Sequence, residues 1–508
     1  MQNRFVALPK GEDGKSIKTF LFKQNRSTKV REVLWGDFLK VTGETQDGWL
    51  EVEWAKTSDT AETLFIPKAH TADTRPLEII FLDVGQGDGA VLITPEPDQG
   101  ERVVVIDAGV SGNMHAFLGK RFRYLGEPMR LHAAIITHPD TDHYFGFDTI
   151  FAASQKFGFD HIYHNGLAER PVSGQFEKLG GLKEDADTGI EYLSDLAETR
   201  NDIDALFGAG IDIGNFDFPR VMRNALGNAN IADIRMLSTA HGIEKDDRVW
   251  MPGFEPAENR PYAIEVLGPV AETDDQGKFR LRKLGSYGET KNGHSVLLRL
   301  HFGKFKVLFG GDLNDKAEKF LLAHYAGLPR FPREGSEAYR TMIDTASNWF
   351  RAEIMKTCHH GSEKVTDAFI DTVSPAAFVI SSGDEEGHVH PRPDLLGRLG
   401  KRGRGDAPVI LSTELQRSTR EKEDQRVLVD LTRRVANLTQ ARSQAVREKI
   451  IEDIWELGGS NVTVYGAIYL KTDGERLLTG FRIETGSETK KWFTFEYAFV
   501  GDELRRVA

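Results

Sequence analysis

Residues 136–147 read ITHPDTDHYFGF and directly continue an apolar run. Four potential metal ligands, His138, Asp140, Asp142 and His143, fall within six residues of this stretch. In an extended loop, positions 138, 140 and 142 point roughly the same way, because side chains alternate with a period of two. His143 then points away from them, which suits a second metal ion. Taken alone, the stretch is either half of a metal site or a polar loop.

The chemistry of these side chains allows a two-metal site. Imidazole nitrogen and carboxylate oxygen are ligands that zinc and manganese accept. Two-metal sites hold their ions roughly 3.5–4 Å apart and suit hydrolysis of phosphate esters or acyl bonds. A single loop cannot complete two coordination spheres, so further ligands are expected from distant parts of the chain.

Further candidates follow apolar runs later in the sequence. Asp312 ends FKVLFGGD, His359 and His360 end EIMKTCHH, and His390 lies in GHVHPRP. Each of them alone is more often solvated or hydrogen-bonded than bound to a metal. Together, and in this order after residues 138–143, they favour the metal site.

The runs that precede these residues predict an α/β fold. LEIIFLDVGQGDGAVLI (77–93), RVVVIDAG (102–109) and AAIITH (133–138) are apolar, rich in β-branched residues and bounded by glycine, as expected of buried strands. FKVLFGGD (305–312), EIMKTCHHG (353–361) and AAFVISSGD (376–384) have the same texture. Polar groups stand at the ends of these strands, where α/β proteins build their sites.

Composition limits the class of protein. The chain has 508 residues, 40% of them hydrophobic and 28% charged, as in globular proteins with two to four compact units. We see no signal peptide and no apolar run of the roughly 20 residues that span a bilayer, so we expect a cytoplasmic protein without a membrane partner. Cys358 is the single cysteine, which excludes an intrachain disulfide. The net charge of −12 disfavours indiscriminate attraction to nucleic acid.

The pattern along the chain predicts three regions. Residues 29–55 alternate apolar and polar positions and resemble, in GDFLKVTGETQDGWLEVE, the bacterial Src-homology-type small β-barrel. We therefore predict a small β-barrel over residues 1–72, which is a docking domain or a structural appendage. Residues 76–415 form the predicted catalytic domain, with an insertion at about 151–258 that is a helical cap or a solvated decoration. Residues 416–508 predict helices and a β-hairpin around TDGE.

These motifs together resemble one family. HPDTDH, with FLDVGQGDGAVLI and VVVIDAG before it and LFGGD, KTCHHGS and HVHP after it, resembles the metallo-β-lactamase fold. The branch it resembles most is the soluble domain of the DNA-uptake competence protein ComEC and its free-standing relatives. The resemblance implies an αββα sandwich with two divalent metal ions, zinc or manganese, at one edge of the paired sheets.

The resemblance also implies roles for individual residues. It places one metal ion on His138 and Asp140, the other on Asp142 and His143, and Asp312 between them; one of His359 and His360 completes the first sphere and His390 the second. Asp83 would shape the site and Asp107 would support the HPDTDH loop, although for these two residues and Asp88 a capped strand-end turn is an equal alternative.

One position departs from the broad superfamily. Asp140 stands where histidine is common, and His294 of KNGHSVLLRL is the nearest counterpart of another superfamily histidine, which makes it a weaker ligand candidate. A carboxylate in place of an imidazole adds negative charge and hardness, which shifts the preference from zinc toward manganese.

Three functions are compatible with this pattern. The first is a phosphodiesterase or nuclease acting on nucleic acid or a nucleotide, with Asp142 orienting the attacking water and Lys356 contacting the scissile phosphate. The second is a metallo-hydrolase of another ester, such as a lactone, thioester or phosphocholine ester, because one fold hosts many activities. The third is a non-catalytic adaptor that binds a protein partner through the N-terminal barrel. The complete ligand set disfavours the third.

Overall fold

The computed structural model describes residues 4–12, 14–55, 61–96, 100–383, 390–405, 407–413, 467–483, 487–501 and 503–507. The helices predicted between residue 416 and about residue 457 lie outside these ranges. None of the helices in the described ranges is long and apolar enough to cross a membrane.

The N-terminal region forms an antiparallel sheet of seven strands. They are β1 (Arg4–Val6), β2 (Thr19–Phe22), β3 (Lys29–Val33), β4 (Phe38–Glu44), β5 (Trp49–Ala55), β6 (Ala61–Pro67) and β7 (Thr71–Ala72). Their order is β3-β2-β6-β5-β4-β1-β7, and one face covers a small core that includes Leu21, Leu50 and Ile66. In the described part of this region no pairing joins β3 to β7. Closure into a barrel therefore stays a prediction.

The next part of the chain supplies the first large sheet and its helices. Its strands are β8 (Leu77–Phe81), β9 (Gly89–Ile93), β10 (Val103–Ala108), β11 (Met129–Ile136), β12 (Phe157–His164), β13 (Leu182–Glu184), β14 (Glu191–Leu193) and β15 (Ile231–Met236). Its helices are α1 (Asn113–Arg121), α2 (Thr141–Tyr144), α3 (Phe147–Ala152), α4 (Arg200–Phe207) and α5 (Asp217–Gly227).

The remaining strands are β16 (Ile243–Lys245), β17 (Arg248–Trp250), β18 (Tyr262–Gly268), β19 (Glu272–Thr273), β20 (Phe279–Arg282), β21 (Leu297–Phe302), β22 (Phe305–Phe309), β23 (Ile354–Lys356), β24 (Ala377–Ile380), β25 (Val409–Ser412), β26 (Ile468–Thr472), β27 (Arg476–Arg482), β28 (Trp492–Val500) and β29 (Glu503–Arg506). The remaining helices are α6 (Tyr287–Gly293), α7 (Asp315–Tyr325), α8 (Glu337–Phe350), α9 (Asp367–Val373) and α10 (Pro393–Arg402).

Two mixed sheets form the centre of the molecule. The first has the order β15-β12-β11-β10-β9-β8-β26-β27-β28-β29, and the second has the order β16-β17-β18-β21-β22-β23-β24-β25. Strands β10, β11, β12 and β15 run parallel to one another, as do β22, β23, β24 and β25. The carboxyl ends of each parallel set therefore lie at one edge of its sheet.

Three apolar cores define the layers. Ile79 and Ile135 of the first sheet pack against Val266 and Val307 of the second, and this core holds the sheets face to face. The outer face of the first sheet packs on α1, α3, α4 and α5. The outer face of the second packs on α7, α8, α9 and α10. The chain is thus an αββα sandwich, as predicted from the sequence.

The segment predicted as an insertion is only partly separate from the sandwich. Strands β12 and β15 continue the first sheet in parallel with β11, and α4 and α5 cover that sheet. Strands β13, β14, β19 and β20 instead form a small four-stranded sheet with its own apolar core. The acidic composition of residues 183–217 hid the buried strands on either side.

The C-terminal hairpin lies inside the first sheet. Strands β26 and β27 form the antiparallel pair predicted around TDGE, and β26 also pairs antiparallel with β8. Lys471 of β26 is 1% exposed and lies 3.1 Å from Glu78 Oε2 of β8 and 3.5 Å from Asp37 Oδ1. This network ties the N-terminal sheet, the sandwich and the C-terminal strands together.

Candidate metal centre

The potential ligands collect where both sheets end their parallel strands. Strand β11 ends two residues before His138, and Asp107 is the penultimate residue of β10. Asp312 follows β22, while His359 and His360 follow β23 in a short 3-10 helix. The sandwich brings these two edges together, so loops from opposite sheets face each other across one site.

Four buried side chains form the tightest group. Asp88, His143, Asp312 and His360 each present one ligand atom, and these atoms lie within 4.8 Å of one another. His143 Nε2 is 3.3 Å from Asp312 Oδ1 and from His360 Nε2. His360 Nε2 is 3.2 Å from Asp312 Oδ2. We call these four residues the inner cluster.

Asp142 borders the inner cluster. Its Oδ2 lies 3.3 Å from His360 Nε2, and its Oδ1 lies 4.0 Å from His143 Nε2. The resemblance implied that one of the HHGS histidines would complete the His138–Asp140 sphere. The structure places His360, whose backbone is left-handed with φ 51°, with Asp142 and His143, which leaves His359 as the histidine for the His138–Asp140 sphere.

His138 and Asp140 form a second, looser group. His138 Nε2 is 3.8 Å from Asp140 Oδ2, and His359 Nε2 is 3.9 Å from Asp312 Oδ2. His390 was expected beside Asp142 and His143. Its ring lies 6.0 Å from the ring of His359 instead, and His390 is not part of the inner cluster.

Asp107 holds the HPDTDH loop in place, as predicted. Its Oδ1 accepts a hydrogen bond from Thr137 N at 2.8 Å, and its Oδ2 accepts one from Thr137 Oγ1 at 2.7 Å. The same Oδ2 lies 2.8 Å from His143 Nδ1. Because Nδ1 donates to a carboxylate there, Nε2 is the ring nitrogen of His143 that faces Asp312 and that is left to bind a metal ion.

Asp88 is the site residue that the sequence prediction left out of its ligand set. It lies in the turn GQGDG, where Gly87 has φ 101°. A Cβ atom added at this position would lie only 1.7 Å from the carbonyl oxygen of Asp142. Only glycine permits this close approach, which brings Asp88 under the HPDTDH loop. The signal was the glycine on either side of an acidic residue at a strand end.

Lys356 is buried behind the site rather than in the cleft. It is 4% exposed, its ammonium pairs with Asp88 and it also donates to the carbonyl of Gly311 at 3.1 Å. This position differs from the expected contact with a substrate phosphate. Its visible role is to neutralise Asp88 and to support the backbone next to Asp312.

The charges of the site are strongly coupled. Burial opposes protonation of His143 and His360. Nevertheless, Asp312 and Asp107 hold the pKa of His143 well above its ordinary value, and Asp312 and Asp88 do the same for the pKa of His360. Burial would raise the pKa of Asp312, yet His360 and His143 hold it well below its usual range. Carboxylates and imidazoles packed this tightly attract cations.

The donor set fits divalent metal ions. Nε2 of His143, Nε2 of His360 and the carboxylate of Asp312 lie within 3.3 Å of one another, while Asp88 Oδ1 lies 3.0 Å from the other ring nitrogen of His360, Nδ1. Nε2 of His138 is a buried atom without a hydrogen-bond partner among the described residues. Such an atom is costly unless it binds something. Imidazole nitrogens and carboxylate oxygens are ligands that zinc and manganese accept.

A polar cleft of about 660 Å³ opens onto the centre. Its lining includes Asp140, Asp142, Asn292, Asp312, His359, His360 and His390, together with the exposed residues Lys364 and Arg392. Cys358 is buried under the site, and burial raises the pKa of its thiol well above the ordinary value, so it is a packing residue.

His294 and its neighbour Ser295 lie differently with respect to the site. His294 is buried away from the inner cluster, and its Nε2 lies 2.6 Å from the carbonyl of Arg282. Its neighbour Ser295 is the one that reaches the site, since Ser295 Oγ accepts from Asp312 N at 3.0 Å and lies 3.3 Å from His138 Nδ1.

Two basic stretches of the chain, residues 279–285 and 399–405, are largely paired with acids. In the first, Arg280 pairs with Asp185 and Arg282 with Glu272. In the second, Arg402 pairs with Asp371. The lining of the cleft instead includes Lys364 and Arg392, and Arg392 Nε lies 3.6 Å from Glu363 Oε2.

Comparison with known proteins finds only weak similarity. No protein-family model matches the chain, and no curated protein matches it. The metallo-β-lactamase fold protein YhfI from Bacillus subtilis is 11% identical, with a TM-score of 0.28, over 66% of this chain and 96% of that one. Tm1679, described as a metal-dependent hydrolase of the β-lactamase superfamily, is 12% identical, with a TM-score of 0.29, over 66% and 95%. The αββα assignment rests on the three cores of this chain.

Proposed function

We propose that the protein is a metal-dependent phosphodiesterase acting on nucleic acid or a nucleotide. The observation that carries this proposal is the inner cluster, Asp88, His143, Asp312 and His360, buried at the floor of an open polar cleft. Beside this cluster, Nε2 of His138 is buried without a hydrogen-bond partner among the described residues, which is costly in a purely structural site. A bound divalent ion would satisfy it.

The position of each residue indicates its proposed role in binding metal ions and orienting water. The inner cluster and Asp142 would hold one divalent ion, and His138, Asp140 and His359 with Asp312 would hold a second. Metal ions bound there supply an activated water and a charge that polarises the phosphoryl oxygen. Asp142 lines the cleft at 18% side-chain exposure, where it can accept a hydrogen bond from the attacking water and orient it. Asp107 fixes His143, and Lys356 fixes Asp88.

The cleft favours a phosphodiester over a lipophilic ester. Its walls are mainly polar, and its lining holds the cations Lys364 and Arg392 together with the acids Glu289 and Glu363. Arg392 Nε lies 3.6 Å from Glu363 Oε2, so Lys364 is the cation that we expect to contact phosphate oxygens first. A narrow apolar pocket, which a lactone or thioester with an acyl chain would need, is not what surrounds the inner cluster. The ComEC-like motifs support the same choice. Manganese is the ion we favour, because carboxylates at Asp88, Asp140, Asp142 and Asp312 make the site hard.

The test combines metal analysis with a substrate panel. Protein purified without chelator is assayed for bound metal, then for cleavage of bis-p-nitrophenyl phosphate, single- and double-stranded DNA, RNA and p-nitrophenyl acetate with added Mn²⁺ or Zn²⁺. We expect bound metal and diester cleavage, with activity lost in Asp142→Ala. Asp160→Asn is the matched control, since Asp160 pairs with Arg130 at 2.8 Å outside the cleft.

Two results would overturn the proposal separately. Protein that binds neither ion under any of these conditions refutes a metal-dependent enzyme. Hydrolysis of the acetate ester without cleavage of any phosphodiester refutes the substrate class and keeps the metal chemistry.

A further inference from the structure

The two halves of the centre differ in how their carboxylates are engaged. In the HPDTDH loop, Asp140 Oδ1 lies 3.0 Å from Lys291 Nζ. With the amide of Asn292 oriented so that its nitrogen donates, that nitrogen lies 3.1 Å from Asp140 Oδ2 and 3.0 Å from the carbonyl of Gly288. Both oxygens of Asp140 therefore already have protein donors.

The donors to Asp140 are firmly held. Lys291 and Asn292 sit in the last turn of α6, whose first turn is fixed by a capping box between Ser286 and Glu289. Lys291 is 8% exposed, and its ammonium also lies 3.6 Å from Glu169 Oε1. Tyr287 donates a hydrogen bond to the same Glu169 oxygen at 2.5 Å. Lys291 is thus an anchored ammonium and not a surface lysine that swings away freely.

The inner cluster differs at the carboxylate that lies between its two histidines. Asp312 is 3.3 Å from His143 Nε2 and 3.2 Å from His360 Nε2, and both of these ring nitrogens can bind a metal ion. The ammonium of Lys356 pairs with Asp88, behind the site, and no lysine or arginine forms an ion pair with Asp312 in the described part of the chain. An ion that enters between His143, His360 and Asp312 therefore meets no ammonium on the Asp312 carboxylate, whereas an ion that approaches Asp140 meets the ammonium of Lys291.

From this contrast we infer that the centre binds its two ions with different affinities. Lys291 and Asn292 occupy the carboxylate oxygens of Asp140 and so weaken binding of the second ion. The inference rests on the proposed function, because it concerns the same metal site. The inner cluster takes the tight ion. The half formed by His138, Asp140 and His359 takes a second ion only when the Lys291–Asp140 pair opens. At low metal the Lys291 ammonium stands in the cleft floor as the second positive charge.

Metal titration tests the inference without reference to activity. Apo-protein is titrated with Mn²⁺ and followed by isothermal calorimetry and by metal analysis after gel filtration. We expect one equivalent retained through the column in wild type, and a second dissociation constant at least tenfold weaker than the first. In Lys291→Gln the second constant should tighten at least tenfold, the first should change less than threefold, and two equivalents should be retained.

Matched variants separate the specific effect from charge in general. Lys283→Gln removes another partly buried lysine of the same region, paired with Glu191, and should leave both constants unchanged. Asn292→Ala keeps every charge and removes the donor to Asp140 Oδ2, so the second constant should tighten severalfold. This variant also provides the answer if Lys291→Gln does not fold, which circular dichroism will show.

The outcomes distinguish the inference from the proposed function. Two equal dissociation constants in wild type would overturn the inference. So would a Lys291→Gln variant that tightens both constants equally, together with an Asn292→Ala variant that tightens neither. In either case the proposal of a metal-dependent enzyme would stand. Retention of the tight ion in a His143→Ala/Asp312→Asn double variant would instead refute the inner cluster as the metal site, and the proposed function with it.

Discussion

Replacement of Asp107 by asparagine provides a sharp test of how the centre is built. Asp107 is 1% exposed, and its two oxygens face three donors, Thr137 N, Thr137 Oγ1 and His143 Nδ1. The asparagine amide keeps the shape but turns one acceptor into a donor. Either the Thr137 contacts or the His143 contact is then lost, and Nε2 of His143 is no longer fixed as the ring nitrogen that is left to bind a metal ion.

The expected size of the effect follows from this geometry. Loss of a partner that orients a metal-binding histidine weakens metal affinity by about 10- to 100-fold, or ~1.4–2.8 kcal/mol. A buried donor left without an acceptor also destabilises the metal-free protein, by about 1–3 kcal/mol. Asp107 has φ 54°, a conformation that asparagine adopts readily, so the backbone adds little to either cost.

The assay is competition for Mn²⁺ or Zn²⁺ against a chromophoric chelator, with urea unfolding of the metal-free protein alongside. Asp160→Asn, outside the cleft, is the control. An Asp107→Asn protein that binds metal within a factor of two of wild type would show that Asp107 does not orient His143, and that its backbone contact with Thr137 is its only role.

Three further predictions concern stability. Lys356→Met should cost about 3–5 kcal/mol of unfolding free energy, because it leaves the Asp88 carboxylate buried without its main counter-charge. In urea unfolding of the metal-free protein, adding Asp88→Asn should restore at least half of this loss. An undiminished loss in the double variant would contradict the explanation. Lys471 and Arg121 lower the pKa of buried Glu78 to about 2 against the raising effect of burial, so its contribution is fully present above about pH 4.5 and is lost as the pH falls toward 2. The stability difference between wild type and Glu78→Gln should therefore shrink over that range, whereas a constant difference would refute the shifted pKa. Removal of metal with a chelator should lower the melting temperature at neutral pH, and this shift should be absent in a His143→Ala/Asp312→Asn double variant.

The apolar runs allowed the buried strands to be predicted from local patterns. Those that end in His or Asp became strands β11, β22 and β23, with the candidate ligands at or after their carboxyl ends. The αββα arrangement of the sheets and the role of Asp107 came instead from the resemblance to the metallo-β-lactamase fold, because strand periodicity and side-chain chemistry do not show how two sheets pack.

Long-range geometry accounts for what the sequence did not reveal. Asp88 joins the centre through the φ of Gly87, and His360 joins Asp142 through its own left-handed backbone, neither of which a residue pattern shows. Lys291 reaches Asp140 across 151 positions of the chain. The buried strands β12 and β15 were masked by the acidic residues between them. Each of these facts depends on packing rather than on local propensity.

The position of β26 beside β8 has a consequence for how the protein is made. All five residues of β8, LEIIF, are buried, and one edge of this strand finds its partner only about 390 residues later, in β26. During synthesis that apolar edge stays open until residues 468–472 have left the ribosome, and open apolar edges invite pairing between chains. The loops that carry the candidate ligands can be in place well before the sheet beneath them is closed. A chain that stops short of residue 467 should therefore aggregate through β8 even though every ligand of the centre is present.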